Sequence, residues 1–188
     1  AALLEAMQET QVTTAGETRD LPEPFFVLAT QNPIDQEGTY PLPEAQTDRF
    51  LLKIVVEYPG RDEEREIVDR YTTGAPDPAV DRVLSRDGLQ RAQHLTRQVP
   101  IADDVRDRAI DVVRATRAAE DVEFGASPRA SMGLVLAAKA RAFLAGRSHV
   151  SEADVEAMAR PVLRHRIVVD FRAEREGITP DDAISELL

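Results

Sequence analysis

The chain has 188 residues, 43% of them hydrophobic and 30% charged, with a formal net charge of −11 and no cysteine. This composition is ordinary for a globular protein and excludes disulfides and thiolate metal sites. The acidic balance argues against a nucleic-acid surface, and no run approaches the roughly 20 apolar residues of a membrane span. Because the absence of cysteine fits a reducing compartment, we expect a cytoplasmic protein.

The chain opens in a helical pattern and continues into a hairpin. Leu3, Leu4 and Met7 have helical spacing, but no capping residue precedes them, so we interpret the start as a cut through a helix and the chain as a fragment. The following stretch, QVTTAGETRDL (11–21), alternates around an Ala-Gly pair, which predicts a β-hairpin.

Two short apolar runs come next, PEPFFVLAT (22–30) and FLLKIVVEY (50–58). The first is a continuous apolar run bounded by prolines, which favours a strand covered on both faces, as in a parallel sheet. The second is rich in Ile and Val and is closed by Pro59-Gly60. Periodicity alone leaves a buried helical segment possible for runs of this length. We predict two strands here.

From residue 61 onward the pattern becomes helical. The segment 61–71 carries acids in its first turn, and 73–81, with two prolines and a glycine, is the best linker candidate. Further helices are predicted around Leu89–Leu95, over Val105–Thr116, over 127–146 between Ser-Pro and Gly, and from the capping box of Ser151 and Asp154. The fold class is therefore α/β over residues 1–72 followed by all-α over residues 73–188.

Asn32 is the first candidate for chemistry, because it stands directly after the first predicted strand. Ligands of open parallel sheets bind beyond the carboxyl ends of the strands, where a neutral amide can orient a water or contact a phosphate. The alternative is that Asn-Pro only starts a turn.

Two arginines are further candidates. Arg49 precedes the second predicted strand, where it could stabilise charge on a transferring phosphoryl group or simply pair with Asp48. Arg129 lies in the first turn of a predicted helix, where the dipole disfavours a cation, so it fits a phosphate site. The alternative for Arg129 is an ion pair with Glu123 or another acid.

Other signals for chemistry are weaker. The three histidines are scattered without metal-ligand spacing, and no GxxxxGK[ST] phosphate loop occurs. A basic cluster of Arg160, Arg164, His165 and Arg166 interrupts the acidic chain; it could contact a nucleotide or a subunit, or form ordinary salt bridges.

Taken together, the stretches LLEAMQETQVT, LPEPFFVLATQNPIDQEGTYPLPEAQTDRF, GASPRASMGL and VLRHRI resemble the MoxR group of AAA+ ATPases, from residue 1 to about residue 170. The resemblance implies the last strands of a P-loop NTPase parallel sheet, followed by a small helical-bundle lid. Magnesium-chelatase ATPase subunits are similar relatives, but the stretch EGTYPLPEAQ favours MoxR.

This resemblance also implies roles for the three candidates. Asn32 matches the sensor 1 asparagine that positions the attacking water, and Arg49 matches the arginine finger that reaches the ATP of the next subunit. Arg129 matches the sensor 2 arginine of the lid, which contacts the nucleotide of its own subunit. The expected cofactors are ATP and Mg²⁺, the latter with ligands upstream of this chain.

The resemblance further implies a ring-shaped homo-oligomer, a hexamer, that remodels partners with a von Willebrand factor A domain. Since the phosphate loop and the acidic strand motif are missing, we predict that these 188 residues alone hydrolyse no ATP. Two alternatives are a non-catalytic protein-interaction module and a magnesium-chelatase-type motor.

Overall fold

The structure is a computed structural model that describes residues 2–32, 42–74 and 80–188. In chain order its elements are α1 (Ala2–Glu9), β1 (Gln11–Thr14), β2 (Glu17–Asp20), α2 (Glu44–Thr47), α3 (Arg61–Thr72), α4 (Arg86–Gln98), α5 (Asp103–Ala115), β3 (Val122–Phe124), α6 (Pro128–Leu144), α7 (Glu152–Leu163), β4 (Val168–Val169), α8 (Phe171–Glu176) and α9 (Pro180–Glu186).

Residues 85–188, which we call the helical body, contain the main hydrophobic core. Helix α6 lies at its centre and packs against α4, α5 and α7, while α7 also packs against α9. The apolar stripe predicted for α5 is buried, and the unit is helix-rich as predicted, apart from the small sheet of β3 and β4. The core side chains of α5 to α7 include Val112, Val113, Leu134, Ala138, Val155, Val162 and Leu163.

Helix α6 begins and ends where its sequence predicts. Ser127 is the N-cap residue, Pro128 occupies the first helical position, and Gly146 follows the helix with a positive φ of 68°. Small side chains such as Ala130 and Ala138 let neighbouring helices approach closely, so α6 can be buried on several sides.

Helix α7 begins with the predicted capping box. The backbone N–H of Ser151 donates to Asp154 Oδ2 at 2.9 Å, and the hydrophobic-staple residues Val150 and Val155 are buried. Asp154 is itself fully buried and accepts hydrogen bonds from Arg141 and Arg147. The carboxylate therefore joins the end of α6 to the start of α7.

The small elements of the helical body were not predicted from the sequence. Strands β3 and β4 form a two-stranded antiparallel sheet that pairs Val122 with Val169. Helices α8 and α9 begin at the side-chain caps Asp170 and Thr179. Strands of two or three residues are too short to produce a detectable alternation, which explains why the pattern did not predict them.

The predicted hairpin over 11–21 is confirmed. Strands β1 and β2 pair antiparallel, and the connecting Ala15 and Gly16 have φ values of 53° and 83°. Two consecutive positive φ values are typical of a type I′ turn, whose twist matches that of the strands. Thr13 of β1 donates its backbone N–H to Glu5 of α1 at 3.1 Å, which fixes the hairpin to the helix.

The two predicted strands at 22–30 and 50–58 are not formed among the described residues, and these predictions were wrong. Both segments run without regular secondary structure, and Phe26, Leu28, Ile54 and Val56 are largely exposed. A strand needs a hydrogen-bonded neighbour on at least one side, and the described part of the chain supplies none to either segment. Most of their apolar side chains therefore stay uncovered.

Helix α3 is formed as predicted, but Ile67, Val68 and Tyr71 of its apolar stripe are exposed. The linker predicted over 73–81 lies largely outside the described residues, which resume at residue 80. Within the described residues, no helix combines the length and apolar character needed to cross a membrane.

The segment 48–53 lies against the helical body. The side chain of Leu52 packs on the core, and the backbone N–H of Lys53 donates to the carbonyl of Pro161 at 2.8 Å. A Cβ built on Gly133 of α6 would lie 3.3 Å from Leu51 Cδ1, so the missing side chain leaves room for this segment. This contact holds the two residues that flank Arg49, Asp48 and Phe50, against the helical body.

Candidate functional site

The candidate site is centred on Asp48, directly after the short helix α2. Its carboxylate accepts a hydrogen bond from Arg166 Nε at 2.9 Å and one from Ser127 Oγ at 3.1 Å. It also accepts a hydrogen bond from Arg129 Nη1. The Asp48 carboxylate thus links the start of α6 to the end of α7, and it lies one residue before Arg49.

Arg166 anchors this arrangement from the side of the helical body. Its side chain is only 2% exposed, and Asp48 is its ion-pair partner. The guanidinium also donates to the carbonyls of Asp48, Phe50 and Leu51 at 3.0, 2.6 and 3.1 Å, and to that of Val162 at the end of α7. A buried guanidinium with this many acceptors fixes the backbone of residues 48–51 to α7.

Arg164 and His165 extend the same contact. Arg164 Nη1 donates to the carbonyl of Lys53 at 3.3 Å while its other nitrogens pair with Asp181 of α9. His165 Nε2 lies 2.9 Å from the carbonyl of Phe50. Three members of the basic cluster predicted from sequence are therefore hydrogen-bonded to the backbone of segment 48–53. The fourth, Arg160, bonds to Ser185 instead.

Arg49 does not form the ion pair with Asp48 that was its alternative role. Its Nε donates to the carbonyl of Ala45 at 3.3 Å, and its Nη1 is buried without a hydrogen-bond partner among the described residues. An enclosed guanidinium nitrogen without an acceptor is uncommon, because leaving it unpaired costs free energy. Arg49 therefore retains capacity to bind an anion.

Arg129 follows its alternative role in this structure, since it pairs with an acid. That acid is Asp48, not Glu123, and the Arg129 side chain is 47% exposed. The N-cap residue Ser127 donates its hydroxyl to Asp48 and makes no side-chain cap bond to the described backbone of α6. Arg129 is thus bonded to the residue before Arg49, while about half of its side chain still faces solvent.

Asn32 is exposed at the end of the segment that was predicted as the first strand. Because that segment has no paired neighbours among the described residues, the strand tip on which the sensor role depends is not formed there. The role of Asn32 as an amide that orients water stays a prediction.

The electrostatics of the cluster keep Asp48 ionised. Burial acts to raise the pKa of the Asp48 carboxyl, but hydrogen bonds from Arg129, Arg166 and Ser127 together outweigh it and lower the pKa. Burial acts in the opposite sense on Arg166 and lowers its pKa, against the effect of Asp48. A guanidinium stays charged at any physiological pH, so the pair is ionic.

The described residues fit part of a nucleotide site. Arg49, Arg129 and the first turn of α6 offer positive charge and backbone donors suited to phosphate oxygens. The described residues contain no group of three or more His, Asp or Glu positioned to hold a metal ion. These donors are of the kind from which phosphate oxygens accept hydrogen bonds.

Two residues of this cluster have more partners than the sequence predicts. Asp48 is expected only as a partner of Arg49, and Arg166 only as one member of a basic cluster that contacts a nucleotide or a subunit or forms ordinary salt bridges. The available signal was the stretch VLRHRIVV (162–169), in which apolar residues flank the three basic residues on both sides and so place them close to the core. The acceptor set of Arg166 could not be found this way, because all but one of its acceptors lie more than 100 residues earlier in the chain.

Two models of known protein families match this chain. A family model described as "ATPase family associated with various cellular activities (AAA)" matches residues 1–52, and a model of the AAA lid domain matches residues 114–187. The first match includes the hairpin and Arg49, and the second includes Arg129 and Arg166. The chain is thus of the AAA+ ATPase class, with part of the core followed by the helical lid.

Similar proteins define the family within that class. The chain is 44% identical to the chaperone MoxR1 of Mycobacterium tuberculosis over 100% of the chain and 52% of that protein. It is 38% identical to YeaC, an uncharacterised protein of Bacillus subtilis, over 100% of the chain and 58% of that protein. The chain belongs to the MoxR family of AAA+ ATPases.

A solved structure supports the same conclusion. A Cytophaga hutchinsonii protein described as an ATPase superposes with a TM-score of 0.91 and 39% identity, over 98% of this chain and 59% of that one. The predicted fold class, a partial AAA+ core followed by a helical lid, is thereby confirmed. The chain spans little more than half the length of these relatives.

Proposed function

We propose that this chain supplies the arginine pair and the lid of an ATP-hydrolysing, ring-forming chaperone of the MoxR type. The observation that carries the proposal is the cluster at Asp48, which brings Arg129 of the lid next to the segment that bears Arg49. The guanidiniums of Arg129 and Arg166 meet at the Asp48 carboxylate, one residue before Arg49, and the phosphates of a nucleotide would compete with this carboxylate for Arg129.

Each residue has a separate role in this proposal. Arg129 binds the phosphates of the nucleotide in its own subunit, and Arg49 reaches the nucleotide of the adjoining subunit in a homo-oligomeric ring, a hexamer by the family resemblance. Positive charge at a transferring phosphoryl group stabilises the transition state, in which charge spreads over the equatorial oxygens. Asn32 orients the attacking water.

The remaining parts of such a site lie outside these residues. The cofactors are ATP and Mg²⁺, and the metal neutralises charge on the phosphates when bound. Since the chain contains no GxxxxGK[ST] loop, we propose that the 188 residues alone do not turn over ATP. In this assignment residues 1–72 belong to the core and residues 73–188 to the lid. The client is a protein with a von Willebrand factor A domain, and the protein acts in the cytoplasm.

The experiment is mutation of Arg49 in the full-length protein that contains this chain. We expect Arg49→Ala to lower the turnover number about a thousand-fold while ATP binding changes little, because the side chain acts on the transition state of a neighbour. Arg106→Ala, on an exposed pair with Asp103, is the matched control and should retain full turnover.

Subunit mixing tests whether Arg49 acts across an interface. Rings mixed from the Arg49→Ala protein and a variant with a defective phosphate loop should recover part of the ATPase activity. Full activity of the Arg49→Ala protein alone would contradict the proposed role, and no recovery in any mixing ratio would contradict its action between subunits.

A further inference from the structure

The carboxylate of Asp48 is shared between two arginines in very different environments. Arg166 is 2% exposed and bound by further carbonyl acceptors, whereas Arg129 is 47% exposed. Asp48 itself is only 17% exposed. The contact to Arg166 is therefore a fixed part of the fold, and the contact to Arg129 is the one that solvent and ligands can reach.

The two contacts also differ in what would replace them if they were broken. Removing Asp48 from Arg166 would leave a buried guanidinium without a counter-ion, which is strongly unfavourable. Removing Asp48 from Arg129 would leave a guanidinium that can rotate into solvent or onto another anion at little cost. Arg129 can thus exchange Asp48 for another anion, whereas Arg166 cannot.

Phosphate oxygens are the natural competitor for this exchange. A guanidinium makes the same type of charge-assisted hydrogen bonds to a carboxylate and to a phosphate. Because Arg129 is at the first turn of α6, a phosphate that replaced Asp48 would also face the N-terminus of this 17-residue helix.

We propose that Asp48 is a positioning residue that binds Arg129 while no nucleotide is present. When a nucleotide enters, Arg129 leaves Asp48 and binds the phosphates. Arg166 keeps Asp48 in place throughout, so the exchange occurs at the residue next to Arg49. This inference rests on the proposed function of Arg129. It adds that nucleotide binding must first break an ion pair inside the protein, which weakens the apparent affinity.

The test is a double-mutant cycle on the full-length protein, read as the Kd of a non-hydrolysable ATP analogue with Mg²⁺. Asp48→Asn keeps an oxygen acceptor for Arg166 and Ser127 but removes the charge that holds Arg129. We expect this variant to bind the analogue about three-fold more tightly, which is the order of an exposed ion pair. In an Arg129→Gln background the same change should leave the Kd unaltered.

Asp103→Asn is the matched control, because it removes one negative charge from an exposed pair with Arg106. It should leave the Kd as it is in both backgrounds. A merely structural role for Asp48 would weaken binding, or would change it equally with and without Arg129, and either result overturns the inference. If Arg129→Gln alone leaves the Kd unchanged, the proposed function of Arg129 fails and the inference falls with it.

A second measurement does not depend on a folded Asp48 variant. Crystal structures of the full-length protein, with and without the analogue, should show Arg129 on Asp48 in the free state and on the phosphates in the bound state. The bond from Arg166 to Asp48 should be present in both. Arg129 bound to Asp48 in both structures, with the analogue in place, would overturn the exchange.

Discussion

The helical body and the amino-terminal region, residues 2–32 and 42–72, contain similar apolar side chains but bury them to opposite extents. Leu134 of α6 is 0% exposed, whereas Leu28 and Val56 are 85% and 89% exposed. The helical body closes around α6 because its helices supply partners for one another. The segments 22–30 and 50–58 have the composition of buried strands, but the described chain offers them no neighbouring strand. Apolar composition thus predicts a tendency to be buried, and the partner decides whether burial occurs.

Truncation of a leucine in each region gives the largest expected contrast. In the 188-residue chain, Leu134→Ala should lower the free energy of unfolding by about 3 kcal/mol, because it removes buried methyl groups and leaves a cavity. Leu28→Ala should change it by less than about 0.5 kcal/mol, because Leu28 is already in solvent. Chemical denaturation followed by circular dichroism measures both values.

The same pair of variants sharpens the comparison in the full-length protein. If further strands cover the segment 22–30 there, Leu28→Ala should become almost as costly as Leu134→Ala. Equal and large effects of the two substitutions in the 188-residue chain itself would mean that Leu28 is packed, and the contrast between the regions would be wrong.

The next comparison is between a buried and an exposed ion pair. Asp154 is buried between Arg141 and Arg147, whereas Asp103 forms an exposed pair with Arg106. We expect Asp154→Asn to lower the free energy of unfolding by about 2 kcal/mol, because it removes the charge that joins α6 to α7. Asp103→Asn should cost less than about 0.5 kcal/mol.

The pH dependence of this difference follows from the pKa of Asp154. Hydrogen bonds from Arg147, Ser151 and Arg141 outweigh burial and hold the pKa of this carboxyl far below its ordinary value. A carboxyl with a lowered folded-state pKa stabilises fully above its unfolded pKa, near 4, and loses the contribution as pH falls below that value. The wild-type advantage over Asp154→Asn should therefore be constant above about pH 5 and shrink below about pH 4. A difference that persists unchanged to pH 2 would contradict the ionic role.

The smallest expected effect lies at the junction of the two regions, at His165. Burial lowers the pKa of His165 to about 4, aided by the charges of Arg166 and Lys53 and opposed by the Phe50 carbonyl and Asp48. The unfolded chain, with an ordinary histidine pKa near 6.5, therefore binds the proton more readily than the folded protein does. Stability is unaffected above about pH 6.5 and falls as pH drops from there toward about pH 4.

After allowance for solvent screening at this half-buried site, we expect a loss of about 1 kcal/mol between pH 7 and pH 5. His165→Gln should remove this loss, and His94→Gln, at an exposed position of α4, should retain it. Denaturation midpoints measured across this pH range decide the matter. An unchanged slope in the His165→Gln protein would show that His165 is not the group that binds the proton on unfolding.

The parts of the site that were predictable are those with a local signature. Arg129 was placed correctly in the first turn of α6 because the Ser-Pro start fixes that position along the chain. The segment after α2 was recognised by its sequence motif, but the motif did not predict the partners of Asp48. They come from residues 127, 129 and 166, and only tertiary packing brings these together with residue 48.

By itself, the sequence determined the α1 helix, the β1–β2 hairpin, the helices α3 to α7 and the family of the protein. Helix caps, hydrophobic periods and turn residues act over a few positions, so they can be read along the chain. The tertiary structure alone decided that 22–30 and 50–58 form no strands here, and that Arg166 links segment 48–51 to α7. Both outcomes depend on whether a hydrogen-bonding partner from a distant part of the chain is in place, and no local pattern encodes that.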